Sequence, residues 1–454
     1  MSRTAAEWRL LSRSRFAILS LALLLVLSTL AIWSGVAQVA RQDAAIARVA
    51  GEQARDYAAV TAAYGKPDGE AGNAAYYSFM LASDPPPPLA FAAIGQRDIQ
   101  PFVLRVRALG LQQQLYDAEA VNAELALPGV FDWAFVLIYL APLVVIALGH
   151  DLVSGERESG RLRLLLSMPT SGLWRRRVGL RYAAVLIAVT LPLLVAAVML
   201  GAPIGATIGM IVVAMLYLAF WFGVALLIGS LVSASATAAA GLVGCWIVLT
   251  LVLPTLGSAA IARAVPVARG IDLTLAQREI VHRGWDIPKP ATFERFFVNH
   301  PEWRGREQFE GRFHWKWLFA MHQVGDEAVG AQVAAYRESL QARERWTNRL
   351  ALILPGVAAQ GVLHRLADTD LAAQLAFQDS VGAFHTRLRR FFYPYLFTDT
   401  PFTAGDFDRL PRHAVRPAGG SLPTASLIAL LLAAALLLAL GGSAVRRVGG
   451  NSRR

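Results

Sequence analysis

Few residues in this sequence are spaced for chemistry. Seven of its eight histidines, from His282 to His413, fall in one segment, 260–425. No two stand at the i, i+4 spacing that puts a pair on one helix face, and no cysteine or carboxylate cluster joins them. Scattered surface or core histidines are therefore expected, with no metal site. His150-Asp151 is a lone pair at the end of an apolar run. No Gly-x-Ser-x-Gly or Ser/His/Asp arrangement occurs. No G-x-x-x-x-G-K-[ST] phosphate loop occurs either; the one Gly-Lys pair, Gly65-Lys66, is followed by Pro67. No catalytic residues and no cofactor are assigned to this chain. The residues that stand out are instead charges without a catalytic pattern. "HDLVSGERESGRLRLLLSMP", His150–Pro169, packs three acids and three arginines beside a leucine run, between two nearly uncharged stretches.

What positions that segment is a set of apolar runs. The chain has 454 residues, 55% hydrophobic and only 17% charged, against about a quarter charged in a soluble domain. Crossing a bilayer takes ~20 mostly apolar residues, and six runs qualify. They divide the chain into an N-terminal piece (1–15), a first span (16–39), a long segment (40–128) and a second span (129–149). The charged loop (150–177) leads to spans three (178–201), four (204–231) and five (236–259). A second long segment (260–425), a sixth span (426–444) and a basic tail (445–454) complete it. The first run is too long for a signal-peptide core and reads as a retained helix.

Charge sets the orientation. The N-terminal piece, the loop with the first turn of span three, and the tail carry fifteen arginines against Glu7, Asp151, Glu156 and Glu158. The long segments are nearly neutral. Short basic pieces stay cytoplasmic, while long segments cross regardless of charge. Both termini and the loop are thus expected in the cytoplasm, and the long segments outside. The fold class is an all-α polytopic membrane protein with six transmembrane helices and two mostly helical extracytoplasmic domains. Its net charge of +11 reports topology and membrane lipid, not nucleic acid.

Within the loop, Ser154 reads as the cap of a helix with Glu156 and Glu158 in its first turn and Arg161 and Arg163 later, the order a helix dipole favours. Gly160 is a bend point, and Pro169 with Ser171-Gly172 ends the helix. Leu162, Leu164, Leu165 and Leu166 give it an apolar face for lipid or for a partner's groove. In span four, Tyr217, Phe220 and Trp221 stand away from the interfaces where aromatic belts sit; they are candidate pathway-lining residues, with helix packing the stronger alternative. Thr237/Gly241 and Ala240/Gly244 have small-xxx-small spacing, so spans four and five are expected to form a tight hairpin. Cys245, the one cysteine, is a packing residue.

The stretch "SGERESGRLRLLLSMPTSGLWRRRVGLRYA" resembles the segment between the second and third helices of ABC-2-type permeases, and "EWRLLSRSRF" resembles the amphipathic elbow helix that precedes their first span. "FDWAFVLIYLAPLVVIALGHDLVSGERESG" extends the likeness to a subgroup with large outer insertions after the first and fifth spans. That subgroup includes the copper-site assembly permease of nitrous-oxide reductase and gliding-motility permeases. The strong match covers about residues 131–183; Arg161 stands where the family often has threonine. The resemblance implies a non-catalytic permease subunit in a bacterial plasma membrane. A separate cytoplasmic ATP-binding-cassette ATPase would hold ATP and Mg, and a second permease, a copy or a related chain, would complete the pathway. Carried over by position, Ser154, Glu156, Arg157, Glu158, Gly160, Leu162 and Leu165 would form the ATPase contact, and Glu7, Trp8 and Arg9 the elbow. The activity implied is ATP-driven transport, with export favoured. The alternative is a mechanical transmitter acting on an extracytoplasmic protein partner.

Overall fold

The computed structural model describes residues 3–116, 130–167, 172–414 and 422–451. Pro169 and Ser171, expected to end the loop helix, lie outside them, as do Arg453, Arg454 and the side chains of Arg163 and Leu166. Six of its helices are long and apolar enough to cross a membrane, which makes this a multi-pass membrane protein by length and composition.

A short helix α1 (Arg3–Arg13) leads into α2 (Arg15–Tyr64). Ser14 caps α2 by accepting from the Ala17 amide at 3.3 Å. No proline interrupts the next 50 residues, so one rod of about 75 Å runs from the bundle into the first long segment. The second apolar helix, α5 (133–149), contains a π turn at Val136–Leu140. Two short helices follow, α6 (Ser154–Glu158) and α7 (Arg161–Ser167), broken apart by Gly160 at φ +71°. Then come α8 (Leu173–Met199), α9 (Ile204–Leu231), α10 (Ser235–Ala264) and, near the C-terminus, α18 (Thr424–Asn451). Helix α8 starts five residues earlier than the third span was expected to, because Trp174–Arg177 continue the helical turn beyond the apolar run. A second π turn, Ile247–Val252, lies in α10.

The bundle core joins Leu24, Trp133, Val189, Tyr217, Leu242 and Leu430. Its closest crossing is α9 with α18, not the expected α9–α10 pair. A Cβ on Gly223 would lie 2.8 Å from Leu437, and one on Gly441 2.8 Å from Leu226, whereas Gly244 faces open space and Gly241 makes only an ordinary contact with Ile228. Small residues do let backbones approach here, on a different pair of helices.

The two long segments do not build two domains. Residues 71–116 and 273–410 share one core, with Ala74, Val106 and Leu109 packed among Phe296, Phe319 and Phe384. The first segment supplies α3 (Ala71–Tyr77), α4 (Gln112–Tyr116) and an antiparallel pair, β1 (Met80–Ser83) with β2 (Val103–Val106). The second supplies α11 (Gly270–Gly284), α12 (Lys289–Asn299), α13 (Trp315–Ala328), α14 (Gly330–Ala351), α16 (Leu371–Phe397) and α17 (Ala404–Phe407). The expectation of two separate domains is corrected to one with a shared core.

One helix of the second segment leaves that domain. α15 (Pro355–Ala367) puts Ala358, Ala359, Val362 and Leu363 into the bundle core. It lies along α9 from Gly209, beside Leu366, to Tyr217, beside Gly356. Helices α14 and α15 thus form a hairpin that dips between the apolar helices. Residues 89–98 seat the domain on the bundle. The Ile94 amide donates to Asp132 Oδ2 at 2.9 Å, Thr369 Oγ1 donates to the Ala93 carbonyl at 2.7 Å, and buried Arg97 pairs with Asp84 and Gln42. A side chain at Gly35 of α2 would overlap the Phe91 carbonyl, so only glycine allows this seat.

Candidate functional site

At the end of the bundle that holds the N-terminus, Leu152, Val153, Leu226 and Val445 pack together, so the loop, the α9–α10 turn and the C-terminal helix share this proximal end. The charged loop grips what surrounds it. Arg157 donates from Nη1 to the Val232 carbonyl and from Nη2 to the Ser230 carbonyl, both at 3.0 Å. Glu158 accepts from the Ser235 amide at 2.9 Å and from its hydroxyl at 2.6 Å. A cation therefore caps the C-terminus of α9 and an anion caps the N-terminus of α10, each matched to the helix dipole it meets. Glu156 accepts from Arg177 Nη1 at 2.8 Å and pairs with Arg161 at 3.1 Å, while Arg177 Nε reaches Glu7 at 3.0 Å. Arg177, Glu7 and Glu156 are 12%, 12% and 15% exposed, so this chain of charges ties α1, α6 and α8 in a sheltered place. Around it lies a cleft of about 390 Å³, which Asp151 and Arg181 also line.

The expected loop residues come together here, in altered roles. Ser154 does not cap: the helix starts from Val153, and the buried Ser154 hydroxyl donates back to the His150 carbonyl at 2.6 Å. That is the local side-chain bond serine makes inside a helix. Ser154 and Leu162 are buried and unavailable to a partner. Glu156 and Arg157 are spent on internal contacts. The open face runs from Glu158 through Ser159 and Gly160 to Arg161 and Leu164, the last two 67% and 63% exposed, with Leu165 half-buried behind it. In α1, Glu7 joins the charge chain, Trp8 is 53% exposed and Arg9 is not buried. Sequence reasoning missed Arg177 and Ser235. Arg177 was counted only as one of the basic residues that orient the chain, and nothing local marks Ser235 as the partner of a carboxylate 77 positions away.

Tyr217, Phe220 and Trp221 do not line a path. They are 1%, 5% and 1% exposed within the bundle core, Tyr217 and Trp221 meet edge to face, and the Tyr217 hydroxyl donates to the Ile138 carbonyl at 2.9 Å. A cavity of about 590 Å³ opens instead where the domain meets α5, α10 and α15. Asp98, Asp132, Tyr139, Trp246, Gln360 and His364 are on its wall.

In the domain built from the two long segments, His322 and His385 serve packing and joinery. His322 Nδ1 accepts from the Gly110 amide at 3.2 Å and His385 Nε2 donates to the Leu109 carbonyl at 2.6 Å. Arg389 donates to the Ala108 and Leu109 carbonyls and pairs with Asp326 at 2.7 Å. These bonds hold residues 108–110, the link between β2 and α4 in the first segment, against α13 and α16 of the second. Among the described residues no group of three His, Cys, Asp or Glu side chains is arranged to hold a metal ion.

Burial, then the positive charge of Arg389, pushes the His322 pKa down to about 3, against about 6.5 in an unfolded chain. The folded state keeps this ring neutral, so its contribution is complete above pH 6.5 and falls as the unfolded chain takes up the proton. Between pH 6.5 and about 3 that one group is expected to remove roughly 1.4 kcal/mol of stability per pH unit. Thermal unfolding of the full chain and of a His322→Gln variant, scanned from pH 7 to 5, should show the variant's slope shallower by that amount.

A protein-family profile described as a domain of unknown function (DUF3526) matches residues 271–416, which runs from α11 past α17 and includes α15. No curated protein and no solved structure matches the chain.

Proposed function

We propose that this chain is the membrane-spanning subunit of an ATP-driven transporter of the ABC-2 type, its proximal end in the cytoplasm of a bacterium and its domain outside the plasma membrane. A separate ATP-binding-cassette ATPase docks on the loop 158–165. The observation that carries the proposal is the grip of the loop on four helices. Through Arg157, Glu158 and the Glu7–Arg177–Glu156 chain, a push on the open face reaches α9, α10, α8 and α1 together. A solvated connecting loop has no need of such wiring. The arginine-rich proximal pieces favour this orientation. ATP and Mg would be held by the partner, and a second permease, a copy of this chain or a relative, would complete the pathway. Export is the direction this reading favours.

A second reading has support of its own: a mechanical transmitter that works on an extracytoplasmic protein. Helix α2 is unbroken from the proximal end to Tyr64, and the Tyr57 hydroxyl bonds the Phe407 carbonyl deep in the outer domain. A tilt of α2 would move that domain as a rigid body.

Docking is tested by capture of a candidate ATPase on the purified chain. Arg161→Glu combined with Leu164→Glu alters the open face and leaves the caps of α9 and α10 in place. Capture is expected to fall about tenfold or more, the loss of ~1.4 kcal/mol or more of binding energy. Full capture by a variant expressed at the normal level would remove the loop from the interface.

A further inference from the structure

The cavity between the domain and the helices has a polar end and an apolar end. Asp98, Asp132, Gln360 and His364 face it where the domain sits. Phe135, Ile138, Leu140, Leu143 and Leu251 continue it into the bundle. From Asp132 to Leu143 is eleven residues of α5, about 16 Å of rise. Its volume, about 590 Å³, falls in the range of small-molecule sites.

Both helices that wall it are distorted where they do so. The π turn of α5 spans Val136–Leu140 and contributes Ile138, Tyr139 and Leu140; the π turn of α10 spans Ile247–Val252 and contributes Leu251, with Trp246 just before it. Such turns are rare and concentrate at functional sites. The two are joined across the cavity wall, where the Trp246 indole donates to the Tyr139 carbonyl at 3.2 Å.

The charge on the wall has one sign. Among the described residues no lysine or arginine lines the cavity. Arg97, next to Asp98 in the chain, turns to Asp84 and Gln42, and Arg365, next to His364, pairs with Asp370 at 2.8 Å. Burial pushes His364 down to about 4, so near neutral pH it brings no charge. Asp132 spends one lone pair of each oxygen on a backbone amide, from Phe135 at 2.8 Å and Ile94 at 2.9 Å, and Asp98 is exposed at the rim. Two carboxylates with Tyr139 and Trp246 beside them make a place for a cation, and the apolar continuation makes a place for a hydrocarbon tail.

We infer that this cavity binds an amphipathic amine, its ammonium against Asp98 and Asp132 and its tail along α5 between Phe135 and Leu143. Binding is a property of this chain alone and requires no ATPase, so it is tested apart from the coupling mechanism. The purified full chain in phosphatidylcholine nanodiscs is irradiated with a decylamine that carries a terminal diazirine, or with the decanoic acid of the same design. Labelled peptides are then located by mass spectrometry. The amine is expected to label 135–143 and 246–251 at least tenfold more than the acid does. Asp98→Asn, a change at an exposed position, should cut that label about tenfold. Leu143→Trp, which fills the cavity and leaves both carboxylates, should also remove it. Equal labelling by the acid, or an amine label that survives either substitution in a monodisperse protein, overturns the assignment.

Discussion

Arg389→Met is expected to unfold the domain built from the two long segments while the helix bundle persists. The guanidinium lies 6% exposed, bonded to the Ala108 and Leu109 carbonyls, to Gln323 Oε1 at 2.6 Å and to Asp326 at 2.7 Å. Methionine fills much of the space and makes none of these bonds. It also leaves the Asp326 carboxylate buried with the Leu111 and Gln112 amides and Gln277 but no cation paired to it. Breaking a buried ion pair from one side costs about 3–5 kcal/mol, a large share of the ~5–15 kcal/mol that holds a domain together. Limited proteolysis should open 71–116, 270–350 and 371–414 to cleavage and spare the apolar helices and α15. The pH dependence of the deficit has a definite sign. Burial already raises the Asp326 pKa, with Arg389 pulling it back; without Arg389 the folded state holds a proton more readily than the unfolded chain does. The variant's deficit relative to wild type at the same pH should therefore shrink as pH falls from 7 to 5. Adding Asp326→Asn should recover part of the loss at pH 7.

Arg177→Met is expected to be the most damaging single change at the proximal end. It removes the ion-pair partner of Glu7 and leaves Glu156 paired with Arg161, with Arg181 the remaining cation near both. The cleft beside them is open enough to admit water, so the cost should sit near the lower end of the same range, about 3 kcal/mol. Apparent Tm in detergent should drop for Arg177→Met and recover substantially in the triple variant Arg177→Met/Glu7→Gln/Glu156→Gln, where no sheltered carboxylate is left and the one arginine released, Arg161, is 67% exposed to solvent. A triple variant as unstable as the single one would mean that the arginine matters for packing over Trp174 and not for its carboxylates.

The parts of this molecule that were legible in the sequence are those that local pattern determines. Six apolar runs gave six long helices, and Gly160 marked the break between α6 and α7. The failures come from long-range pairing. α15 reads "PGVAAQGVLHRLA", apolar enough for a bundle core but far shorter than the ~20 residues a span needs, so a count of spans leaves it outside. His322 and Asp326 share one face of α13 at i, i+4, yet their partners at 108–111 lie more than 200 positions earlier. For the same reason two long segments looked like two domains. In the loop, the residue types that chemistry requires were identified, while their partners were not: Glu7 and Arg177 are 170 residues apart, and Ser235 carries no mark of its role. The π turns of α5 and α10 leave no signal in hydropathy, so the cavity they border could not be anticipated from Tyr217, Phe220 and Trp221.

The most direct measurement is of ATP hydrolysis by a candidate ATPase in proteoliposomes, with and without this chain, and with Arg157→Ala. That substitution removes the cap on Ser230 and Val232 and leaves the exposed face from Ser159 to Leu164 untouched. Wild-type chain is expected to bind the ATPase and change its turnover severalfold. Arg157→Ala is expected to bind it equally well and change turnover much less than wild type does, because the push then no longer reaches α9. An ATPase that neither binds the chain nor responds to it, or one that responds to Arg157→Ala as fully as to wild type, would contradict a loop that couples nucleotide chemistry to the helices.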